Sequence, residues 1–486
     1  MDQLSENRSW LRPAFALVVT ITALRWVMLA FDRTDLFVDE AQYWLWGKEF
    51  AFGYFSKPPL IAWVIGLVTW VTGSDAAFWV RMPAAAFHGA TALIVGGLAA
   101  RIYGPRLALW VVATYLTLPM AAVGSLLIST DTVMAPFFAA ALYFYHRLLT
   151  DGRAQDAALA GLCIGVACLA KYAGVYFLVG AALGAVLHRD FRPQLGHVAL
   201  MLLVWAALVA PNILWNLTHG LSTLAHTADN IGWIEHAAKL DDIGADGLIA
   251  FWIGQIGVVG PVILAAFVIA LLGPVVDRSL VVFALPALSI VSGQAFLDSA
   301  YANWAITAYF TGVILAAAVL AQVRWLRWAS LTFNGVICVL LPVLTVFPTF
   351  GIADLPLLYR YIGRADLSHQ IIAIAEQAHG VPVVSASRDI LADLYYTGRD
   401  TGLAYYAPQP QGRAENHYQD RYPLPVTVTG PVLLIATEPP ACPYSKIPLS
   451  TAGGAYEKAS FAAYLIDASC LSMPAMPPVD IPRDSP

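Results

Sequence analysis

Apolar runs near the length of a bilayer recur along this chain, and their recurrence leaves it few possible folds. They fall at residues 13–31, 80–100, 107–127, 132–149, 156–170, 172–187, 197–215, 247–272, 279–294, 304–322 and 328–349. A segment in hydrocarbon must satisfy its own backbone polar groups, and a helix of about 20 apolar residues does so while crossing. The pattern therefore predicts a mainly α polytopic membrane protein with about eleven transmembrane helices. Composition points the same way: 59% of the 486 residues are hydrophobic and only 12% are charged, too few to clothe a soluble globule of this size. No basic face marks a nucleic-acid partner. The first run follows a polar N-terminus and lacks a small-residue cleavage site, so it reads as a retained span.

Arginine placement sets the expected orientation. Arg8 and Arg12, Arg101 and Arg106, Arg147 and Arg153, Arg189 and Arg192, Arg278, and Arg324 with Arg327 fall on alternate connections. Positive charge collects on short cytoplasmic loops. The N-terminus is therefore expected in the cytoplasm, with everything after about residue 350 on the outer side. The expected division is a membrane domain over 1–350, with a first outer loop at 32–75, and an outer domain over 351–486.

That first outer loop carries the densest chemistry. It holds Asp39 and Glu40, then Gln42 and Tyr43, and later Gly53-Tyr54-Phe55-Ser56-Lys57-Pro58-Pro59-Leu60. Adjacent carboxylates beside a membrane can bind a metal, orient an acceptor or take a proton. A lysine before two prolines, whose rings restrict the backbone, suits a phosphate. The same stretch also reads as a plain amphipathic connection. Residues 60–71 are apolar but short for a span. With Trp63 and Trp70 they predict a helix in the interface, its tryptophans at headgroup level.

Later outer turns add to the set. Ser129-Thr130-Asp131-Thr132 is a polar cluster and also a plain helix N-cap. Lys171 sits in a tight apolar turn, where it either snorkels or needs a partner. The connection from 215 to 246 holds His219, His226, Glu235, His236 and Lys239, which read either as solvated polar residues or as metal ligands. Asp298, Tyr301, Asn303 and Trp304 follow. Arg81 is either a phosphate ligand or a headgroup anchor, and Arg25 lies inside the first run, where it could pair with an outer acid. Asp39, Glu40, Lys57, Asp131, Lys171, His219 and Asn303 all fall at the outer ends of spans, which predicts one charged cavity at the outer leaflet.

Beyond residue 350 the pattern changes. Strand-like runs at 381–385, 402–406, 432–436 and 462–466 interleave with helical patterns at 367–378 and 389–397, predicting a small α/β domain. The Pro-rich stretch from 473 to 486 reads as a tail. Cys163, Cys168 and Cys338 lie in spans as core residues. Cys442 and Cys470 both lie in the outer domain, as a disulfide in an oxidising compartment or as two free thiols.

Taken in order, DEAQYW from Asp39 and GYFSKPPL from Gly53, then an interfacial helix, resemble the first outer loop of GT-C glycosyltransferases. The nearest branches are the bacterial protein O-mannosyltransferases and the lipid A aminoarabinose transferases. The stretch Pro211 to Gly220 (PNILWNLTHG), the Ser-Thr-Asp turn, Lys171-Tyr172 and Ala302-Asn303-Trp304-Ala305 are similar to the same families, over roughly residues 35–305. The resemblance implies a GT-C fold and a sugar donor on a polyprenyl phosphate, with inverting transfer at the outer face of the bacterial inner membrane. It implies that Asp39 is the catalytic carboxylate, supported by Glu40 and Tyr43. Donor phosphate contacts fall to Lys57, with Arg81 and Lys171 as further candidates. Tyr54, Asp131, Tyr172, His219 and Asn303 complete the substrate-binding set.

Two departures stand out. The aminoarabinose family has an acid where this chain has Ser56, which removes an expected ligand for a divalent metal such as zinc. It has an arginine where this chain has Gln42. Both imply a different sugar or acceptor. By resemblance to aminoarabinose and galacturonic acid transferases, lipid A or core lipopolysaccharide is the first acceptor expected and protein O-mannosylation the second. A lipid-linked sugar flippase would place charged residues and broken helices at mid-bilayer, and a non-catalytic assembly subunit would not need the acid–lysine set.

Overall fold

A computed structural model of the chain describes residues 9–230, 244–273, 277–352 and 355–472. Glu235, His236, Lys239 and the 473–486 tail lie outside the described residues. The chain divides into two compact units. One comprises Met1–Ala30, Ala51–Ser74 and Phe78–Val343; the other comprises Phe31–Phe50, Asp75–Ala77 and Leu344–Pro486.

The first unit is helical. Each expected apolar run coincides with a helix or a pair of helices, and among the described residues five helices are long and apolar enough to cross a membrane: Leu11–Ala30, Ala77–Tyr103, Leu195–Thr218, Arg278–Leu297 and Arg324–Val346. The run at 247–272, expected as one span, is two helices, Ala245–Val259 and Pro261–Leu272, bent by 114°. The break has a local cause. Gly260 adopts φ +85°, open to glycine, and Pro261 begins the next helix without a backbone N–H. Counting that pair as one span gives six. The remaining apolar helices of 10–17 residues are Leu60–Thr72, Ala154–Ala170, Tyr172–Leu187 and Ala308–Leu320.

Side-chain placement corrects two expectations in this unit. Arg25 is 4% exposed, and its Nη2 donates to the Leu116 carbonyl at 2.6 Å rather than to an acid. That carbonyl precedes Pro119, which starts a new helix and interrupts the backbone ladder there. Trp63 also turns inward: its Nε1 donates to Ala51 O at 2.9 Å, and its ring meets Phe52 edge-on. Trp70 is 79% exposed.

The second unit is built on a mixed sheet. A short antiparallel pair, β1 (Gly351–Ile352) and β2 (Leu355–Pro356), precedes it. The sheet itself contains β3 (Val383–Ser385), β4 (Tyr405–Tyr406), β5 (Pro431–Ala436), β6 (Ser445–Pro448) and β7 (Ala462–Asp467), in the order β4-β3-β5-β7-β6. β3 runs parallel to β4 and β5, whereas β7 runs antiparallel to β5 and β6. Helices Arg364–Gln377 and Arg388–Thr397 flank β3 in sequence. Val384, Val432, Leu434, Tyr464 and Ile466 form its core, against which Cys442 and Cys470 pack. Those two cysteines are joined by a disulfide. Helix Val38–Trp46, from the first expected loop, also belongs to this unit.

Candidate active site

In the second unit, Asp39 lies in the first turn of helix Val38–Trp46. Phe37 before it is extended, and Glu40 reaches back to accept the Phe37 N–H at 3.0 Å, capping the free end of the helix. Seven of the nine residues are buried; Asp39 and Leu45 are not. Glu40 is 2% exposed and Tyr43 3%. The two carboxylates therefore divide their work: Glu40 fixes the backbone, and Asp39, its side chain 44% exposed, faces outward.

Arg388 meets that carboxylate. Its Nη2 donates to Asp39 Oδ1, and its Nε donates to Gln42 Oε1 at 2.8 Å. The arginine is held by its own local structure. Ser385, at the end of β3, bonds Ile435 O at 3.0 Å and accepts the Ser387 N–H, while Ser387 caps the helix that Arg388 begins. Burial disfavours the Arg388 charge, but Asp39, Asp389 and Tyr418 together hold its pKa above the ordinary arginine value. Nearby His417, packed edge-on to Trp46, is pushed down to about 3 by burial and by Arg421 and Arg388, so it is neutral at pH 7. Arg388 escaped the sequence reading because 349 positions separate it from Asp39.

The first unit holds two further polar constellations. Lys171 Nζ lies 2.7 and 2.9 Å from the two oxygens of Asp131, and Asn303 Nδ2 donates to Asp131 Oδ2 at 3.0 Å. Ser129 is indeed the N-cap, accepting from Thr132 N–H at 3.2 Å, which leaves Asp131 available for the lysine. Next to Lys171, the Tyr172 hydroxyl donates to Asn212 Oδ1 at 2.9 Å and accepts from Asn216 Nδ2 at 3.2 Å. Asn212 in turn donates to Phe52 O at 2.7 Å, tying helix Leu195–Thr218 to the loop that contains Tyr54 and Lys57.

Tyr54 is buried and Lys57 half-buried; the Tyr54 N–H donates to Lys57 O, which closes the turn before Pro58-Pro59. Arg81 is 1% exposed, inside the helical packing. His219 stacks on Trp215 at 4.2 Å, and its Nδ1 lies 2.8 Å from Trp215 O. Of the residues expected to share one cavity, Asp131, Lys171 and Asn303 come together. Asp39 and Glu40 belong to the other unit. Among the described residues, no group of three His, Cys, Asp or Glu side chains is placed so that it could hold a metal ion.

Similarity along the whole length of the sequence identifies a membrane-embedded glycosyltransferase of the GT-C type. The chain belongs to that family. It is 38% identical to the lipid A galacturonosyltransferase RgtD of Rhizobium johnstonii, over 95% of this chain and 99% of that protein. The family described as dolichyl-phosphate-mannose-protein mannosyltransferase matches residues 56–215. Among solved structures, ArnT from Cupriavidus metallidurans bound to undecaprenyl phosphate aligns with a TM-score of 0.57 at 15% identity, covering 96% of this chain and 100% of that one. The Archaeoglobus fulgidus oligosaccharyltransferase aligns at 0.51 and 11%, over 85% of this chain and 67% of that one. At those identities the likeness is one of fold.

Proposed function

We propose that this chain transfers a uronic acid sugar, galacturonate, from a polyprenyl-phosphate donor to lipid A or a related lipopolysaccharide acceptor. Transfer takes place at the outer face of the inner membrane, with about eleven crossings, a cytoplasmic N-terminus and the sheet unit in the periplasm. The observation that carries this reading is the whole-length similarity to a lipid A galacturonosyltransferase. The chemistry of the residues supports it. The bond between the anomeric carbon and the donor phosphate oxygen breaks, the phosphate departs with the electron pair, and the sugar ring takes on oxocarbenium character. The acceptor oxygen bonds to the anomeric carbon from the opposite face as the phosphate leaves, and Asp39 accepts the proton of that attacking hydroxyl, or steadies the ring if the acceptor is itself a phosphate. Lys57, Arg81 and Lys171 are the cations assigned to the departing phosphate. Tyr54, Tyr172, His219 and Asn303 shape the substrate surroundings.

The test is mass spectrometry of lipid A from cells lacking the chain, complemented with wild type or Asp39→Asn. Loss of one uronic acid, restored by wild type alone, is the expected result. Unchanged lipid A with an altered lipid-linked sugar pool on one side of the membrane would favour a flippase. Loss of protein-bound mannose would favour the O-mannosyltransferase reading, which the family match over 56–215 supports.

A further inference from the structure

The guanidinium of Arg388 has two edges that can each grip a carboxylate. The side edge, Nε with Nη2, is occupied by Gln42 Oε1 and Asp39 Oδ1. Arginine carries five N–H donors, and these contacts use two of them. Nη1 has no hydrogen-bond partner among the described residues, so the end-on edge, Nη1 with Nη2, is open. The side chain is 36% exposed, and the edge is therefore not sealed in the core.

Resting on the function proposed above, we infer that Arg388 is the specificity-determining residue that reads the carboxylate of the donor sugar. A uronic acid brings a negative charge to a site whose working group, Asp39, is already negative. Without a cation between them the two would repel. Arg388 binds Asp39 with one edge and presents a planar two-donor fork with the other, the geometry that matches a carboxylate. A neutral hexose offers that fork only an uncharged hydroxyl acceptor, without the charge or the paired oxygens of a carboxylate.

The test uses the full-length protein in liposomes with lipid A as acceptor and two donors, undecaprenyl-phosphate galacturonate and undecaprenyl-phosphate galactose. Wild type is expected to prefer the uronate. Arg388→Gln should lower kcat/KM for the uronate about 10- to 100-fold, mainly through KM, and change the galactose reaction far less. Arg388→Lys, which keeps the charge without the fork, should fall between and serves as the readout if the glutamine variant does not fold. An equal loss with both donors would overturn the inference, leaving Arg388 only a support for Asp39. A wild type that moves galactose alone would also overturn it. A wild type that moves neither donor would sink the functional reading itself.

Discussion

Lys171 is bound to both carboxylate oxygens of Asp131, at 2.7 and 2.9 Å, across 40 residues of sequence. The pair is mostly buried, with side-chain exposures of 20% and 8%. Removing one partner strands a charge in apolar surroundings. Asp131→Ala is expected to destabilise the protein by about 3 kcal/mol, the low end for a buried pair because Lys171 retains some solvent. The double variant Asp131→Ala/Lys171→Ala should recover most of that loss in thermal unfolding. If Lys171 also serves the donor phosphate, sugar transfer stays low in the double variant despite its recovered stability. Recovery of both together would make the lysine purely structural.

Gly53 has no room for a side chain. A Cβ there would lie 2.3 Å from Trp215 Cε3, and Trp215 is itself stacked on His219. Gly53→Ala must displace that ring, and overpacking of this kind costs about 1–3 kcal/mol. The displacement would also loosen the Asn212–Phe52 bond that holds the Tyr54–Lys57 turn. The variant should show a raised KM for donor with a modest fall in melting temperature. Normal KM would mean that the turn tolerates the shift.

Hydropathy made most of the helical body legible, because apolar length is a local property. It merged Ala245–Val259 with Pro261–Leu272, although the Gly260-Pro261 dipeptide was a break signal in plain view. Asp131, Lys171 and Asn303 could be grouped because each sits at the end of an apolar run. Four strands of the sheet were visible as short apolar and aromatic runs, whereas β6 was not: Ser445-Lys446-Ile447-Pro448 is an exposed edge strand, where lysine and proline are common. Arg388 had no local signature at all. It reads as an ordinary first-turn residue of a helix, and only the fold brings it to Asp39.

The Cys442–Cys470 disulfide closes a loop with a sequence separation of 28. A cross-link over that length restricts the unfolded chain enough to stabilise by about 3–4 kcal/mol in the chain-entropy model. Both cysteines pack on the sheet core. Cys442→Ser/Cys470→Ser is expected to lower the melting temperature of the purified protein, and a reducing agent should lower that of wild type by a similar amount while leaving the variant unmoved. Equal sensitivity of both proteins to reductant would contradict a structural role for this bridge.

Asp393 lies between Arg364 and Tyr456 in the interior of the sheet unit, 3.2 Å from Arg364 Nη1 and accepting the Tyr456 hydroxyl. Burial pushes its pKa up from 3.8 to about 7, although Arg364 and Tyr456 both pull the other way. Between those two values the folded protein keeps a proton that the unfolded chain has released. Stability from this group is therefore fully present below the lower value and falls as pH rises through about 7, then levels off. Asp393→Asn keeps the hydrogen-bond acceptor and removes the titration. Its melting temperature should match that of wild type near pH 4 and exceed it increasingly toward pH 8, read as the difference between the two proteins at each pH. A difference that stays constant across that range would mean Asp393 remains ionised in the fold, with the Arg364 pair outweighing its burial.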